Sequence, residues 1–346
     1  MYLPMVTSIV ATMNTFLVLG IGPIGGIIGG RLARAGADVT FADVDPVTVD
    51  AVRADGLRLH LPEGEVIVPA NAVLVDDIRG SFDTLLLSVP SSATEGAVDV
   101  ARRHRHDHSL TVSLQNGLAA ARLAEALGAA STAGCAIRLG SRRVATGVFA
   151  TAVQGHLSLG HWRHPASPAL RTLVDALNEV IDTDLSADIE AELWGKLCHT
   201  AMVYFECLDD ASLVETLQNP RSRGLFIPLL AEVVDVAEAS GLRLPRMADF
   251  APDDFASRHP LAFRERALDE WMPRMDPTSR KGAFRRLREG GRTDVDEVLG
   301  VIVHEGASRS VPTPISGALQ QLVHELESGR TMSPRNYRTL ARLAAR

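Results

Sequence analysis

After the apolar run TFLVL, the chain reads GIGPIG, which places Gly20, Gly22 and Gly25 in the spacing G-x-G-x-x-G ahead of an Ala/Ile/Leu-rich helical stretch. A strand, a glycine turn and a helix in that order open a βαβ unit, and each glycine has a mechanical reason. Gly20 permits the tight turn, Gly22 lets a pyrophosphate approach the backbone, and Gly25 lets the helix lie close to the sheet. The other loop members, Ile21, Pro23 and Ile24, would line the same nucleotide. Taken alone, the motif also fits a merely structural turn in a glycine-rich chain. Asp43 shifts the balance: it stands eighteen residues beyond Gly25, at the end of the next strand-like run VTFADVD, where a carboxylate accepts both ribose hydroxyls of an adenosine. The competing role for Asp43, a cap ahead of Pro46, suits Asp45 better. A 2′-phosphate beside Asp43 would meet negative charge with no arginine in the adjacent VDPVT, so NAD is expected over NADP.

Strand-like and helix-like runs then alternate to about residue 128, through Val66–Val68, TLLLSV and LTVSL, with EGAVDVARR between the last two. From Thr132 to His161, short alternating segments broken by glycine suit antiparallel strands added at the sheet edge. Beyond IDTDLS the pattern is helical to the end. Ser186 is a candidate N-cap, with Asp188 and Glu190 in the first turn. The expected fold is an α/β, doubly wound N-terminal domain over 13–184 followed by an all-α domain over 185–346. Residues 1–12 are expected to be an extension ahead of Met13, a candidate natural start. The length of 346 residues suits two domains.

A formal net charge of −7 argues against nucleic acid or an anionic membrane as partner, and favours a small molecule. No run approaches the roughly 20 apolar residues of a membrane span, and no secretion signal is evident. Cys135, Cys198 and Cys207 match neither a disulfide framework nor a zinc pattern, which points to reduced thiols in a cytoplasmic protein. The histidines of ARRHRHDH and GHWRH read as solvated loop residues, so no metal is expected.

Two further stretches bear on chemistry. In SLQNG, Asn116 follows an apolar strand; its amide could donate to a substrate oxygen or a nicotinamide, while Asn-Gly is also the simplest of turn dipeptides. In ELWGKLCHTAMVYF, helical spacing puts Lys196 on a narrow polar face with Glu192, His199 and Thr200, opposite Leu193, Trp194, Leu197, Ala201 and Phe205. From periodicity alone, a solvated Glu192–Lys196 pair at i, i+4 is the simpler reading.

GIGPIGG, QNG, LWGKL, GRTDVDEVLG and VPTPISGALQQLVHELESG, in this order and spacing, make the chain resemble the ketopantoate reductase family over nearly its whole length. The resemblance implies a Rossmann domain joined to a helical domain, an active site in the cleft between them, and reduction of a 2-oxo acid by a nicotinamide nucleotide; the helical second domain could carry a homodimer interface. It makes Lys196 the general acid and reverses the reading from periodicity. An ammonium can stabilise the oxygen that gains charge as hydride arrives, and can deliver the proton. It also aligns Asp294 with a family glutamate that contacts substrate. Against that, Thr293 and Asp296 have the spacing of a capping box, which would leave Asp294 a first-turn acid.

Several family positions differ. Thr200 and Tyr204 stand where substrate-side asparagines occur, Gly282 replaces a carboxylate-binding serine, and Pro90 replaces a lysine. Arg280 or Lys281 could take over the carboxylate, and Tyr204 suggests a pocket wall for an apolar or aromatic side chain. The expectation is therefore an NAD-dependent enzyme of a small 2-oxo or 2-hydroxy acid other than ketopantoate, using Lys196, Asn116 and Asp294. A dehydrogenase of a sugar acid or polyol is the alternative among enzymes. A nucleotide-binding redox sensor without turnover is the alternative outside them.

Overall fold

The computed structural model describes residues 15–247, 250–275 and 282–345. The expected extension over 1–12, Met13, Arg280 and Lys281 lie outside the described residues. The chain divides into two compact units: one runs to Gln115 and resumes over Ala119–Ile189, and the other comprises Asn116–Leu118 and the chain from Glu190 onward.

The first unit is built on an eight-stranded sheet. Its strands are β1 (Phe16–Leu19), β2 (Val39–Asp43), β5 (Asn71–Leu74), β6 (Phe82–Leu87), β7 (Arg105–Ser113), β8 (Thr132–Arg138), β11 (His156–His161) and β12 (Thr183–Leu185). They lie in the order β12-β11-β8-β7-β6-β1-β2-β5. Strands β5 to β8 are parallel through β1 and β2, whereas β11 runs antiparallel to β8. The chain order thus reverses between β1 and β6, the switch point at which open α/β sheets take their ligands. Register places the carboxyl ends of three strands level, with Leu19 opposite both Ala42 and Leu87.

Alternation explains how the sheet is covered. Phe16, Val18, Phe41 and Leu86 face one core with the helices α1 (Pro23–Arg34), α2 (Pro46–Asp55) and α5 (Pro168–Asn178). Leu17, Leu19, Leu85 and Leu87 face another with α3 (Thr94–His104) and α4 (Ala119–Leu127). A strand buried on both faces needs such an unbroken apolar run. Each buried side chain of this kind contributes about 1.5–3 kcal/mol relative to exposure.

The stretch from Thr132 to His161 differs from its expected form. Only β11 is an antiparallel edge addition, while β8 continues the parallel array. β9 (Ser141–Ala145) and β10 (Val148–Thr151) leave it for a second, four-stranded sheet with β3 (Leu57–Leu61) and β4 (Gly64–Val68), in the order β4-β3-β10-β9. The run Val66–Val68 therefore lies in that second sheet. The physical reason is that β10 pairs in parallel with β3, a remote partner that local alternation does not disclose.

The second unit is helical: α6 (Ile189–Met202), α7 (Leu213–Gln218), α8 (Pro220–Ala239), α9 (Leu261–Trp271), α10 (Gly282–Arg288), α11 (Val301–Ser308), α12 (Pro314–Glu327) and α13 (Arg335–Ala344). Just before α6, Ser186 Oγ accepts from the Asp188 N–H at 3.2 Å. Trp194, Leu197, Ala201 and Phe205 enter one core, and Phe205 stacks on Phe226 with ring centroids 4.0 Å apart. The α-helical turn stops at Met202, and Val203–Cys207 tightens into a 3-10 segment. The N-terminus of α12 is capped from a distance: the Glu232 carboxylate on α8 accepts from the N–H groups of Ile315 and Ser316 at 2.7 and 2.8 Å. The three cysteines are buried. Among the described residues, no helix is long and apolar enough to cross a membrane.

Candidate functional site

In the first unit, the glycine loop leaves β1 at the switch point. Gly20 has φ +101, and an added Cβ there would sit 2.9 Å from the Val89 nitrogen. Gly25 is tighter still, because its Cβ would stand 2.2 Å from Ser88 Oγ and 2.3 Å from the Gly20 carbonyl oxygen. These two glycines let α1 begin directly against the strand ends. Ser88 Oγ donates to the Gly20 carbonyl at 2.7 Å and fixes the turn from the β6 side. Around Gly22 there is room: nothing lies within 4 Å of its Cβ position, and it caps α1 without a side-chain hydrogen bond. The first turn of that helix thus presents backbone N–H groups and the positive end of its dipole to open space, which suits a pyrophosphate.

Asp43 closes the loop from β2. Its Oδ2 accepts from the Ile21 N–H at 2.7 Å, and its Oδ1 from the Asp45 N–H at 3.0 Å. A carboxylate has about four acceptor sites, so two such bonds leave capacity for ribose hydroxyls. Asp45 performs the capping of α2, accepting from the N–H groups of Val47 and Thr48 and from Thr48 Oγ1. The Thr48 hydroxyl bond, ahead of the other interactions, draws the Asp45 carboxyl below its ordinary range. The residues present fit a dinucleotide. A cation absent from VDPVT arrives from a strand remote in sequence. Arg143 of β9 brings its guanidinium to the Ile21 carbonyl at 3.4 Å and Thr48 Oγ1 at 3.5 Å.

In the second unit, four residues from three separate stretches of sequence meet. Lys196 Nζ on α6 donates to Asn116 Oδ1 at 3.1 Å, and Asn116 Nδ2 donates to Asp294 Oδ2 at 2.9 Å. Tyr204 completes the chain, its hydroxyl donating to Asp294 Oδ1 at 2.7 Å. The polarity is forced: turning the Asn116 amide over would set donor against donor at Lys196 and acceptor against acceptor at Asp294. Gly117 places Asn116, with φ +73 and a Cβ position only 2.2 Å from the Glu297 carbonyl oxygen. No side chain fits there. Glu297 belongs to a π turn, Asp296–Gly300, that continues into α11.

Two expectations, the Tyr204 pocket wall and the Thr293 capping box, are corrected by this geometry. Tyr204 is no pocket wall, because it is 0% exposed and spends its hydroxyl on Asp294. Burial, followed by the charge of Asp294, pushes its phenol well above the ordinary value, so it stays a neutral donor. Thr200 Oγ1 donates back to the Lys196 carbonyl at 2.8 Å, so its one proton is used within the helix. The capping box of Thr293 and Asp296 does not form. Thr293 gives both its N–H and its hydroxyl to Glu327 Oε1 at 2.7 Å, and Asp296 Oδ1 takes Gln320 Nε2 and His324 Nε2 at 2.6 and 2.8 Å. Tertiary partners outcompeted the local pattern. Asp294 is left to Asn116 and Tyr204 rather than to a helix end.

Comparison with known proteins gives a consistent result. Residues 16–164 match the family model described as Ketopantoate reductase PanE/ApbA, and residues 188–327 match its C-terminal counterpart. A 2-dehydropantoate 2-reductase of Halobacterium salinarum is 26% identical over 314 residues, covering 89% of this chain and 97% of that protein. Among solved structures, a PanE/ApbA family ketopantoate reductase from Ralstonia eutropha JMP134 superposes with a TM-score of 0.77 at 24% identity, covering 91% of this chain and 98% of that one. D-mandelate dehydrogenase, solved with NADH and anilino(oxo)acetate, gives a TM-score of 0.79 at 18% identity over 91% of this chain and 98% of its own. At such identities, the structural likeness shows the fold.

Proposed function

The chain belongs to the ketopantoate reductase family of oxidoreductases, and from that premise we propose that it transfers hydride between NADH and a small 2-oxo acid, or the reverse with the 2-hydroxy acid. One observation carries the proposal: the Lys196 ammonium donates to Asn116, Asn116 donates to Asp294, and Tyr204 donates to the other Asp294 oxygen, so one hydrogen-bonded chain ties the ammonium to a fixed carboxylate.

When bound, the nicotinamide supplies or accepts the hydride. Gly22 would let the nucleotide phosphates approach the first turn of α1, with Gly20, Ile21, Pro23, Ile24 and Gly25 shaping the loop around them, and Asp43 would take the ribose hydroxyls. Lys196 neutralises the carbonyl oxygen as charge develops on it and delivers the proton to that oxygen; in the oxidative direction it accepts the hydroxyl proton. Asn116 aims the ammonium through its carbonyl and keeps its own orientation through Asp294. Asp294 meets the substrate side, with Tyr204 locking its other oxygen. The relatives' activity as 2-dehydropantoate 2-reductases supports a 2-oxo acid, and the altered polar positions Thr200 and Tyr204 support one other than ketopantoate. Asp43 supports NADH over NADPH.

The test follows NADH and NADPH oxidation with a panel of 2-oxo acids of rising side-chain size, for wild type and Lys196→Ala. Turnover that disappears in the variant while nucleotide binding persists is the expected outcome. Unchanged turnover would remove Lys196 from the chemistry. Nucleotide binding without turnover on any acid would favour the polyol or sensor reading.

A further inference from the structure

Asp294 is held by its own carboxylate, and its two flanks are held as well, by one stripe of α12. Gln320, His324 and Glu327 recur at the four- and three-residue spacing that puts side chains on one helix face. Glu327 is a charged residue with no part in the chemistry above, yet its side chain is only 7% exposed. Its Oε1 takes both the N–H and the hydroxyl of Thr293, the residue before Asp294, at 2.7 Å. Its Oε2 stands 3.3 Å from His324 Nδ1. The other imidazole nitrogen, Nε2, is 2.8 Å from Asp296 Oδ1, two residues beyond Asp294. The chain Thr293–Glu327–His324–Asp296 thus brackets Asp294 from both sides.

We propose that Glu327 and His324 are positioning residues for Asp294, and that they couple the presentation of its carboxylate to the ionisation of the His324 imidazole. This rests on the reading of Asp294 as a substrate-side group. A charged imidazole donates from both nitrogens and satisfies both carboxylates; a neutral one donates from one only. Among the described residues, the charged groups that face the ring are Asp296 from the π turn and Glu327 from its own helix. Burial pushes the imidazole down, but the bonds and charges of Asp296 and Glu327 outweigh it and raise its pKa above the ordinary histidine value of 6.5. The bracket is therefore complete below that value. It loses one of its two bonds as pH rises through the raised one, leaving Asp296 or the buried Glu327 without its imidazole donor.

Two readouts test this on the full-length enzyme. In the first, the Asp294 carboxyl carbon is followed by NMR across pH, assigned by its loss in Asp294→Asn. An inflection at the His324 midpoint, absent in His324→Gln, is expected. In the second, kcat is measured against pH with whichever 2-oxo acid turns over. His324→Gln should flatten the fall that tracks the imidazole, while KM for the nucleotide stays unchanged. Glu327→Gln should lower kcat roughly 10-fold or more through misplacement of Asp294, and Glu327→Asp should restore part of it. An Asp294 signal blind to His324, or a His324→Gln pH profile identical to wild type, overturns the proposal. If no 2-oxo acid turns over but the Asp294 signal still follows His324, the functional reading fails and the coupling stands.

Discussion

The nucleotide cradle and the lysine site are built on opposite principles. In the first unit, Gly20, Gly25 and Asp43 lie within one strand-turn-helix-strand stretch, and parallel register brings the ends of β1, β2 and β6 level. In the second unit, the bonded pairs are separated by 80, 90 and 178 residues. A local site follows from chain geometry, whereas a dispersed one depends on the packing of several elements. The first should therefore tolerate changes elsewhere and fail at its glycines. The second should fail at its supports as well as at its reacting group.

The largest effect expected is on Lys196. Lys196→Ala removes the proton donor and should lower kcat by about 10²–10⁴-fold, with the nucleotide Kd unchanged when titrated by protein fluorescence. A parallel loss of nucleotide affinity would erase the separation between the two sites. Next comes Gly25→Ala, whose new methyl must displace Ser88 Oγ and a backbone oxygen that cannot yield. Overpacking of that kind costs about 1–3 kcal/mol, which should appear as nucleotide Kd raised roughly 10- to 100-fold. Retained affinity would mean that α1 can withdraw from the strand ends and that the cradle is less rigid than its contacts indicate.

How far each site was legible follows the same division. GIGPIG and Asp43 could be read directly, because tight turns and close approaches impose glycine at given spacings. The helical face of Lys196 was also legible, but its bond to Asn116 was not, since nothing local links residues 116 and 196. Position 204 drew notice through the family resemblance, yet its burial and its bond to Asp294 depend on a core assembled from several helices. Thr293 and Asp296 misled for a related reason: a local capping pattern was present, and better partners on α12 took both residues. The second sheet escaped because β3 and β10 pair across a long separation.

Tyr204→Phe sharpens the comparison from the dispersed side. The ring volume is kept, so the core should hold, while Asp294 Oδ1 loses its 2.7 Å donor. Asp294 is half-buried, so water partly replaces the lost donor and the net cost is about 0.5–1.5 kcal/mol, measurable as a lower thermal midpoint. Because Asp294 also orients Asn116, kcat should fall roughly 10-fold while nucleotide affinity stays put. A kcat equal to wild type would reduce Tyr204 to a core residue.

The smallest effect concerns a member of the local site supplied from afar. Arg143 arrives from the second sheet and lies against the Ile21 carbonyl and Thr48, in the neighbourhood of Asp45. Its guanidinium softens the negative field that Asp43 and Asp45 would otherwise present to a 2′-phosphate. An exposed charge acts through screened water, so only a modest effect is expected. Arg143→Ala should raise the Kd for NADPH by roughly 2- to 5-fold relative to that for NADH, and Asp43→Asn should move the ratio the other way. If the ratio does not change in Arg143→Ala, the cradle is as local as its glycines suggest. If it moves as expected, even the legible site takes its selectivity from a strand about a hundred residues away.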